Sequence, residues 1–487
     1  MADKEAASPV HMAETINSEK DTENVSENFP NVDEKKLLRK MDLILLPILG
    51  LCQVFNFLDR INISNARLAG LTRDLQLDNY QFGWTLSIFF FGFRPSRWIA
   101  LIMCVWGTIV MCMAACTSYA GLLVCRLILG CVESGCLCGI IYILSFWYKR
   151  SEMGQRTGAI ICAVTLAGAI GGLLATGIQY LDGVHGLAAW KWIFIIEGIP
   201  SVVMGVVVFF LLPDFPGVSE FFYPRGEDLF RVSNITIWKS KNALRYFTEE
   251  EMQFMVERLR ADHTDAQDQS IHWKQLFTGF FDYKVWLYTL IFFSQSCPVY
   301  SFSFFLPTII TNMHISTAVA VNQALTVPVY FFGLFLVIAF AWSTDRFKDR
   351  LYHNIVSEIF CIIGFIILLS VKTAGVLYFA TMLGTLCFSS APSLMAWNND
   401  NSLGTTRTAF ATGLMIMGGN LSGVLASQMY KDAPYYFGSH MVNFCLQIFS
   451  VILVFILRFA IKRENRILEE KAAAGETLQH GDFRYRL

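Results

Sequence analysis

Charged side chains are scarce in this chain of 487 residues. Asp, Glu, Lys and Arg together make up 16% of it, and apolar residues make up 54%, whereas soluble domains carry about 25% charged residues. An ordinary soluble domain is therefore excluded. The net charge of −1 points to no charged partner, and we expect no nucleic-acid binding.

Catalytic motifs are also lacking. The sequence contains no Gly-x-Ser-x-Gly elbow and no His-Glu-x-x-His helix, and its eight histidines are scattered through tails and loops. An enzyme embedded in a membrane would need a nucleophile with its base, or clustered metal ligands, within the apolar stretches. We therefore expect neither an enzyme nor a cofactor.

Cysteine is not scarce, but its positions predict no disulfide framework and no zinc site. Most of the thirteen cysteines lie in apolar stretches, where Cys behaves as a small apolar residue. Cys136 and Cys138 lack the spacing of zinc ligands and have no second pair nearby. The polar, acidic start of the chain has no apolar segment and hence no signal peptide. Residues 1–40 are expected to form a disordered cytosolic tail.

Eleven apolar stretches are long enough to cross ~30 Å of hydrocarbon, which takes about 20 helical residues. They lie near residues 43–60, 98–118, 122–147, 157–180, 190–212, 284–308, 321–343, 353–371, 374–396, 408–430 and 439–461. A twelfth candidate, Phe82 to Phe93, would reach only ~18 Å as a helix. The predicted class is an all-α polytopic membrane protein.

Lys and Arg cluster on alternate connections, for example at Lys149-Arg150 and from Arg458 to Arg466. The positive-inside rule places these connections, and with them both termini, in the cytosol. Two cytosolic termini require an even number of crossings.

A long polar connection from Pro213 to Lys284 divides the chain. Small-residue pairs, which let membrane helices approach closely, occur on both sides of it, at Gly168 and Gly172 and at Gly419 and Gly423. The occurrence of such a pair in each half fits a duplicated fold. The domains predicted are helix bundles at 41–212 and 284–463, a cytosolic linker at 213–283, and a cytosolic tail at 464–487.

Two apolar stretches carry charges that a bilayer rarely tolerates without a use, since each costs ~3 kcal/mol. They are Asp59 and Arg60 in one stretch, and Arg126 and Glu133 in another. Seven residues are close to two helical turns, so Arg126 and Glu133 are expected on nearly the same face. This pattern indicates a carrier for a small anion, with protons as the coupling ion.

The charged motifs resemble those of the major facilitator superfamily, specifically the fungal allantoate permease family of anion:cation symporters. The resemblance covers about residues 36–465. It rests on Phe57-Leu-Asp-Arg-Ile-Asn62, Leu123-Val-Cys-Arg126 through Glu133-Ser-Gly135, Trp192 to Pro200, Leu212-Pro-Asp-Phe-Pro216, Phe305-Leu-Pro307, Ser343 to Arg346, and Ala396-Trp-Asn398 through Gly419-Asn420-Leu-Ser-Gly423.

The resemblance implies twelve helices in two six-helix bundles, alternating access, and proton-coupled uptake of carboxylates such as allantoate, nicotinate, pantothenate or biotin. Related organic-anion symporters carry an Asp-Arg pair in the first helix and an Arg/Glu pair in the fourth. A monomer in the plasma membrane is expected.

Arginine offers two parallel donors that match a carboxylate, so Arg60 and Arg126 are predicted to bind substrate. Arg60 at a helix end also fits an arginine that only reaches toward the membrane surface. Glu133 is the predicted proton carrier, because its proton affinity would depend on whether an arginine is paired with it. Asp59 either shares that role or orients Arg60.

Further site residues are predicted from the second half. Tyr300 and Asn398 are candidate polar groups of the substrate pocket, although aromatic residues in membrane spans more often pack or form interfacial belts. Asp345, Arg346 and Arg350 are expected either to latch the cytosolic side or to form an ordinary positively charged inner loop. For the buried acid Glu197, a role in helix packing is favoured.

Two departures from the family pattern keep alternatives open. After Phe89-Phe-Phe-Gly92 the second helix lacks its second half, and an extra segment occupies residues 218–241. Half a spanning helix would leave unpaired backbone facing lipid. These features indicate a splicing or gene-model variant, or a transport-impaired paralogue acting as a nutrient sensor. A channel is disfavoured because the chain shows no pore loop or ring of charge.

Overall fold

The architecture comes from a computed structural model, in which every described element is helical. The described residues are 29, 32–69, 71, 98–133, 136–145, 147–213, 246–262, 279–347, 349–402, 405–431, 434–473 and 485. The predicted short span at 82–93, the insertion at 218–241 and most of the predicted tails lie outside these residues.

The first half contains six described α-helices and two short 3-10 helices, Gln179–Leu181 and Val184–Gly186. The α-helices are α1 (Glu34–Leu68), α2 (Trp98–Met113), α3 (Tyr119–Glu133), α4 (Cys136–Ser145), α5 (Arg150–Ile178) and α6 (Ala189–Leu211). The linker contributes α7 (Glu249–Asp262). The second half contains α8 (Tyr283–Asn312), α9 (Val319–Ala324), α10 (Thr326–Phe347), α11 (Leu351–Ser370), α12 (Ala374–Gly384), α13 (Cys387–Asp400), α14 (Thr405–Met429) and α15 (Phe437–Ala473).

Nine helices within the described ranges are long and apolar enough to cross a membrane. They correspond to nine of the eleven predicted stretches. The stretch predicted at 98–118 is the shorter helix α2, and the one at 122–147 is split between α3 and α4. The all-α membrane fold is thus confirmed.

The same packing pattern occurs in both halves. In the first, α2 packs against α6, and α1 packs against both α5 and α6. In the second, α11 packs against α15, and α8 packs against both α14 and α15. The two bundles meet where α5 contacts α10 and α13, and where α1 contacts α8. Side chains from α1 and α8 can therefore share one central site.

The contact between the bundles depends on glycine. Gly168 and Gly172, the pair predicted to allow close approach, face α10: a Cβ atom at Gly168 would lie 2.5 Å from the Tyr330 ring, and one at Gly172 would collide with Thr326. Only hydrogen in place of a side chain lets α5 reach α10 at this distance.

The linker helix α7 docks on the first bundle through ion pairs. Thr248 and Glu251 form a capping box at the start of α7, with backbone-to-side-chain bonds of 3.2 and 2.8 Å. Arg258, which is fully buried, donates to Glu34 at 3.0 Å and to Glu152 at 2.8 Å. These contacts tie the linker to the N-terminal ends of α1 and α5.

Replacing Gly168 by Val tests the contact between α5 and α10. Overpacking a tight interface costs about 1–3 kcal/mol, so we expect a lower melting temperature of the purified protein. Gly158→Val in the same helix is the matched control, because a Cβ atom there meets nothing within 4 Å. Equal melting temperatures for the two variants would contradict the close approach.

Candidate functional site

The candidate site lies between the two bundles and contains charged side chains from α1, α3 and α6. Asp59 and Arg60 come from α1, Arg126 and Glu133 from α3, and Glu197 from α6. Arg126 and Glu133 share the buried face of α3 with Leu122 and Leu129, as their seven-residue spacing predicts. The structure therefore brings together the four charged residues predicted from the first half.

Arg60 connects the two bundles. Its Nη2 lies 3.4 Å from Oε1 of Glu133 in the first bundle, and its Nη1 donates to the hydroxyl of Tyr300 in the second at 3.2 Å. The Tyr300 hydroxyl in turn donates to Oδ1 of Asn420 on α14 at 2.9 Å. The Arg60 side chain is 14% exposed, whereas that of Glu133 is fully buried. Arg60 is thus the more accessible partner of this ion pair.

Arg126 lies deeper and holds the acids of the first bundle together. It is 1% exposed, and its Nη2 donates to Oδ1 of Asn62 at 2.8 Å. It also interacts electrostatically with Glu133, Asp59 and Glu197. A guanidinium in this position compensates buried negative charge, because an unpaired carboxylate there would be very costly.

Asp59 and Glu197 are also buried, at 0% and 3% exposure. Ser201, one turn after Glu197 on α6, donates its hydroxyl to Oδ2 of Asp59 at 2.5 Å. Neither carboxyl oxygen of Glu197 has a hydrogen-bond partner among the described residues. Glu197 is therefore the least compensated acid of the cluster.

The cluster contains three carboxyl groups but two guanidinium groups. If all five were ionised, the site would carry one excess negative charge in a water-poor interior, where an isolated ionised group costs several kcal/mol or shifts to its neutral form. One carboxyl group must therefore hold a proton when the site is empty. A substrate carboxylate would require a further proton.

Asn398 lies apart from this cluster. Its Nδ2 donates to Oγ1 of Thr412 at 3.3 Å, and it lines a small pocket with Tyr288 and Asn401. Tyr288 precedes Tyr300 by twelve residues of α8, a rise of about 18 Å. The structure therefore does not bring Asn398 to Arg60. Tyr300, in contrast, contacts Arg60 directly.

The residues of the predicted latch are close in sequence but differ in their contacts. The Nε atom of Arg350 lies 3.6 Å from Oδ2 of Asp400, at the end of α13. Arg346 is exposed in the last turn of α10. The side chain of Asp345 lies outside the described part of the structure. Among the described latch side chains, Arg350 thus makes an ion pair that joins two helix ends of the second bundle.

Sequence reasoning missed four contributors to the site: Asn62, Glu197, Ser201 and Asn420. Helical spacing pointed to two of them, Asn62 and Ser201. Asn62 follows Asp59 by three residues and Ser201 follows Glu197 by four, spacings that place each pair on one helix face. Asn420 had no such signal, because its role depends on the packing of α14 beside α8.

A multi-pass bundle of two helical halves, with a buried charge cluster where they meet, defines a membrane transporter. The family model of the Major Facilitator Superfamily matches residues 49–427. The chain belongs to this superfamily.

Relatives and solved structures agree with this assignment. A transporter of Schizosaccharomyces pombe is 31% identical over 92% of this chain and 87% of its own length. The high-affinity nicotinic acid transporter of Saccharomyces cerevisiae is 29% identical over 89% of this chain and 79% of its own.

The fold is also similar to that of two solved structures. One is a bacterial homologue of the human lysosomal transporter Spinster, with a TM-score of 0.57 and 14% identity over 85% of this chain and 96% of that one. The xylose transporter XylE from E. coli gives the same TM-score at 12% identity, over 84% and 97% of the two chains.

Arg126→Met tests the charge balance of the cluster. The change leaves one guanidinium against three buried carboxyl groups, and breaking a buried ion pair costs about 3–5 kcal/mol. The folded variant must then bind more protons than the unfolded chain, so its stability should fall as the pH rises. Melting temperatures measured across pH test this slope.

A double variant provides the control. Adding Glu197→Gln to Arg126→Met removes one excess carboxyl group, so it should recover part of the melting temperature at alkaline pH. A loss of stability that is independent of pH, and unaffected by Glu197→Gln, would contradict the proposed balance.

Proposed function

We propose that this transporter imports a small organic anion, a carboxylate of the nicotinate class, together with protons. The observation that carries the proposal is Arg60, which contacts Glu133 in one bundle and Tyr300 in the other. A cation held between the moving halves, and more exposed than its carboxylate partner, suits an anion that must be bound and released. The nicotinic acid transporter among the relatives supports this choice of carboxylate.

Anion binding follows from exchange at Arg60. A substrate carboxylate can replace Glu133 as the acceptor of the guanidinium, and the planar fork of arginine permits two parallel hydrogen bonds. Tyr300 would then present its hydroxyl from the opposite side. Arg126 is completely buried and paired with Asn62, so we assign to it a supporting role behind Arg60.

Proton coupling follows from the same exchange. Once displaced from Arg60, the buried carboxyl group of Glu133 has lost its closest cation, and a carboxylate in this surrounding favours taking up a proton. The substrate thus brings its negative charge into the site with a compensating proton. Asp59, held by Ser201, would stay in place and orient Arg60.

Alternating access would use the two bundles as units, at 41–212 and 284–463, joined by the cytosolic linker at 213–283. Contacts that cross between the bundles, such as Arg60 with Tyr300, would break and form again as the cavity changes sides. The ion pair of Arg350 with Asp400 would stabilise the cytosolic end. We further propose a monomer in the plasma membrane with both termini in the cytosol.

Uptake by proteoliposomes tests the function. Vesicles containing the purified full-length protein, with an acidic outside, should accumulate labelled nicotinate against its gradient. Unlabelled nicotinate should compete, whereas nicotinamide, which has the same ring without a charge, should not. Equal competition by both compounds would overturn recognition of the anion. Accumulation that requires no pH difference would overturn proton coupling.

Glu133→Gln separates binding from proton coupling. The amide cannot gain or lose a proton, so exchange of labelled for unlabelled nicotinate should persist while the accumulation that an acidic outside drives through Glu133 is lost. The control is Glu470→Gln, an exposed residue whose ion pair with Arg466 lies far along α15. Unchanged acid-driven accumulation in Glu133→Gln would refute its role as the proton carrier.

A further inference from the structure

A second buried carboxyl group, Glu358 of α11, lies in the core of the C-terminal bundle. It is 1% exposed. Its Oε1 accepts hydrogen bonds from the amide of Gln295 on α8 and, at 2.9 Å, from the hydroxyl of Ser450 on α15. Gln295 also donates to Oδ1 of Asn354 at 2.7 Å. Three helices thus converge on one acid within the spanning part of α11.

No basic group within the described residues forms an ion pair or hydrogen bond with Glu358. Several charged and titratable groups on the helices packed around it are engaged elsewhere: Arg350 with Asp400, Arg458 with Tyr352, Lys284 with Glu464, His353 with Ser343, Cys361 with the carbonyl of Gly384, and Tyr288 with Asn401. Cys387 and His440 are also buried in these helices. Glu358 is therefore surrounded by uncharged hydrogen-bonding groups, unlike Glu133.

The hydrogen bonds around Glu358 can serve both of its protonation states. The amide NH2 of Gln295, which donates to Oε1 of Glu358 in the structure, can donate to an ionised carboxylate. Two acceptor atoms of the pair, Oε2 of Glu358 and Oε1 of Gln295, are buried and have no partner within the described residues. A proton on Glu358 would give it a donor, and a rotated Gln295 amide would offer the acceptor. An amide can thus stabilise either form.

Gln295 also connects this acid to the central site. It precedes Tyr300 by five residues of the same helix, a rise of about 7.5 Å. A movement of α8 that releases Tyr300 from Arg60 would therefore also shift the amide that holds Glu358. The first bundle has a similar element, in which Ser201 of its last helix donates to Asp59, as Ser450 of the last helix does to Glu358.

We propose that Glu358, with Gln295, Asn354 and Ser450, is a second proton-binding site, in the C-terminal bundle, that is loaded and unloaded during transport. The ligand is a proton rather than a metal cation, because one donor–acceptor pair completes the unpartnered oxygen atoms of Glu358 and Gln295. The inference rests on the proposed symport. Beyond that symport, the second site implies that two protons accompany each anion, one bound in each bundle.

Infrared difference spectroscopy tests proton binding without any substrate. In purified full-length protein shifted between about pH 5 and about pH 9, the C=O band of a protonated buried carboxyl group should appear at acidic pH. Glu358→Gln should abolish one such band, and Glu133→Gln should leave that band in place. A spectrum unchanged by Glu358→Gln, or a band that persists at both pH values, would overturn the proposal.

A variant of Ser450 tests the site even if the Glu358→Gln protein does not fold. Ser450→Ala removes a donor that stabilises the carboxylate, so the band should persist and its midpoint should move to higher pH. Ser389→Ala is the control, because that hydroxyl donates to the Leu386 carbonyl instead. An equal midpoint in Ser450→Ala and wild type would count against the site.

Transport stoichiometry then tests its use. With the membrane potential held at zero, one unit of pH difference drives about tenfold accumulation for each coupled proton. At this pH difference, wild type should accumulate nicotinate about a hundredfold and Glu358→Gln about tenfold. Equal accumulation ratios in the two proteins would overturn a role of Glu358 in the transport cycle. If wild type does not carry nicotinate, the proposed function fails, and the infrared titration still decides whether Glu358 binds a proton.

Discussion

The balance of buried charge between Arg60, Arg126 and the acids around them is the constraint on which the rest of this structure depends. Taking an ion out of water costs several kcal/mol even inside a protein, and only close counter-charges or protons offset that cost. With three carboxyl groups against two guanidinium groups, the cluster cannot be neutral without a proton. In the proposed function, anion binding at Arg60 and proton binding at Glu133 would therefore be linked by electrostatics, independently of which anion is carried.

Helix packing places this cluster of charged side chains at the boundary between the bundles. Gly168 and Gly172 bring α5 against α10, and the contact of α1 with α8 brings Tyr300 to Arg60. The contacts across this boundary combine a few polar bonds with an apolar cluster of side chains from α1, α5, α8 and α10. At the ends of the helices, where Arg258 joins Glu34 and Glu152, ion pairs fasten the linker to one bundle.

The two bundles solve the problem of a buried acid differently. In the first, carboxyl groups are compensated by arginine, so their protonation follows the position of a cation or a substrate. In the second, Glu358 has amide and hydroxyl neighbours, so its protonation follows the geometry of hydrogen bonds. Both arrangements suit a site that changes state when helices move, because each depends on a partner carried by another helix.

The sequence by itself determined the class of the protein, nine of the eleven apolar stretches as helices long enough to span a membrane, and the position of Arg126 and Glu133 on one helix face. These follow from local rules: hydrophobic length, helical period and the cost of charge in lipid. Tertiary structure decided that Glu197, judged a packing residue, joins the charge cluster. It also decided that Asn398 lies beside Tyr288, which is about 18 Å from Tyr300 along α8. Such placements depend on how distant helices cross, which no local pattern encodes.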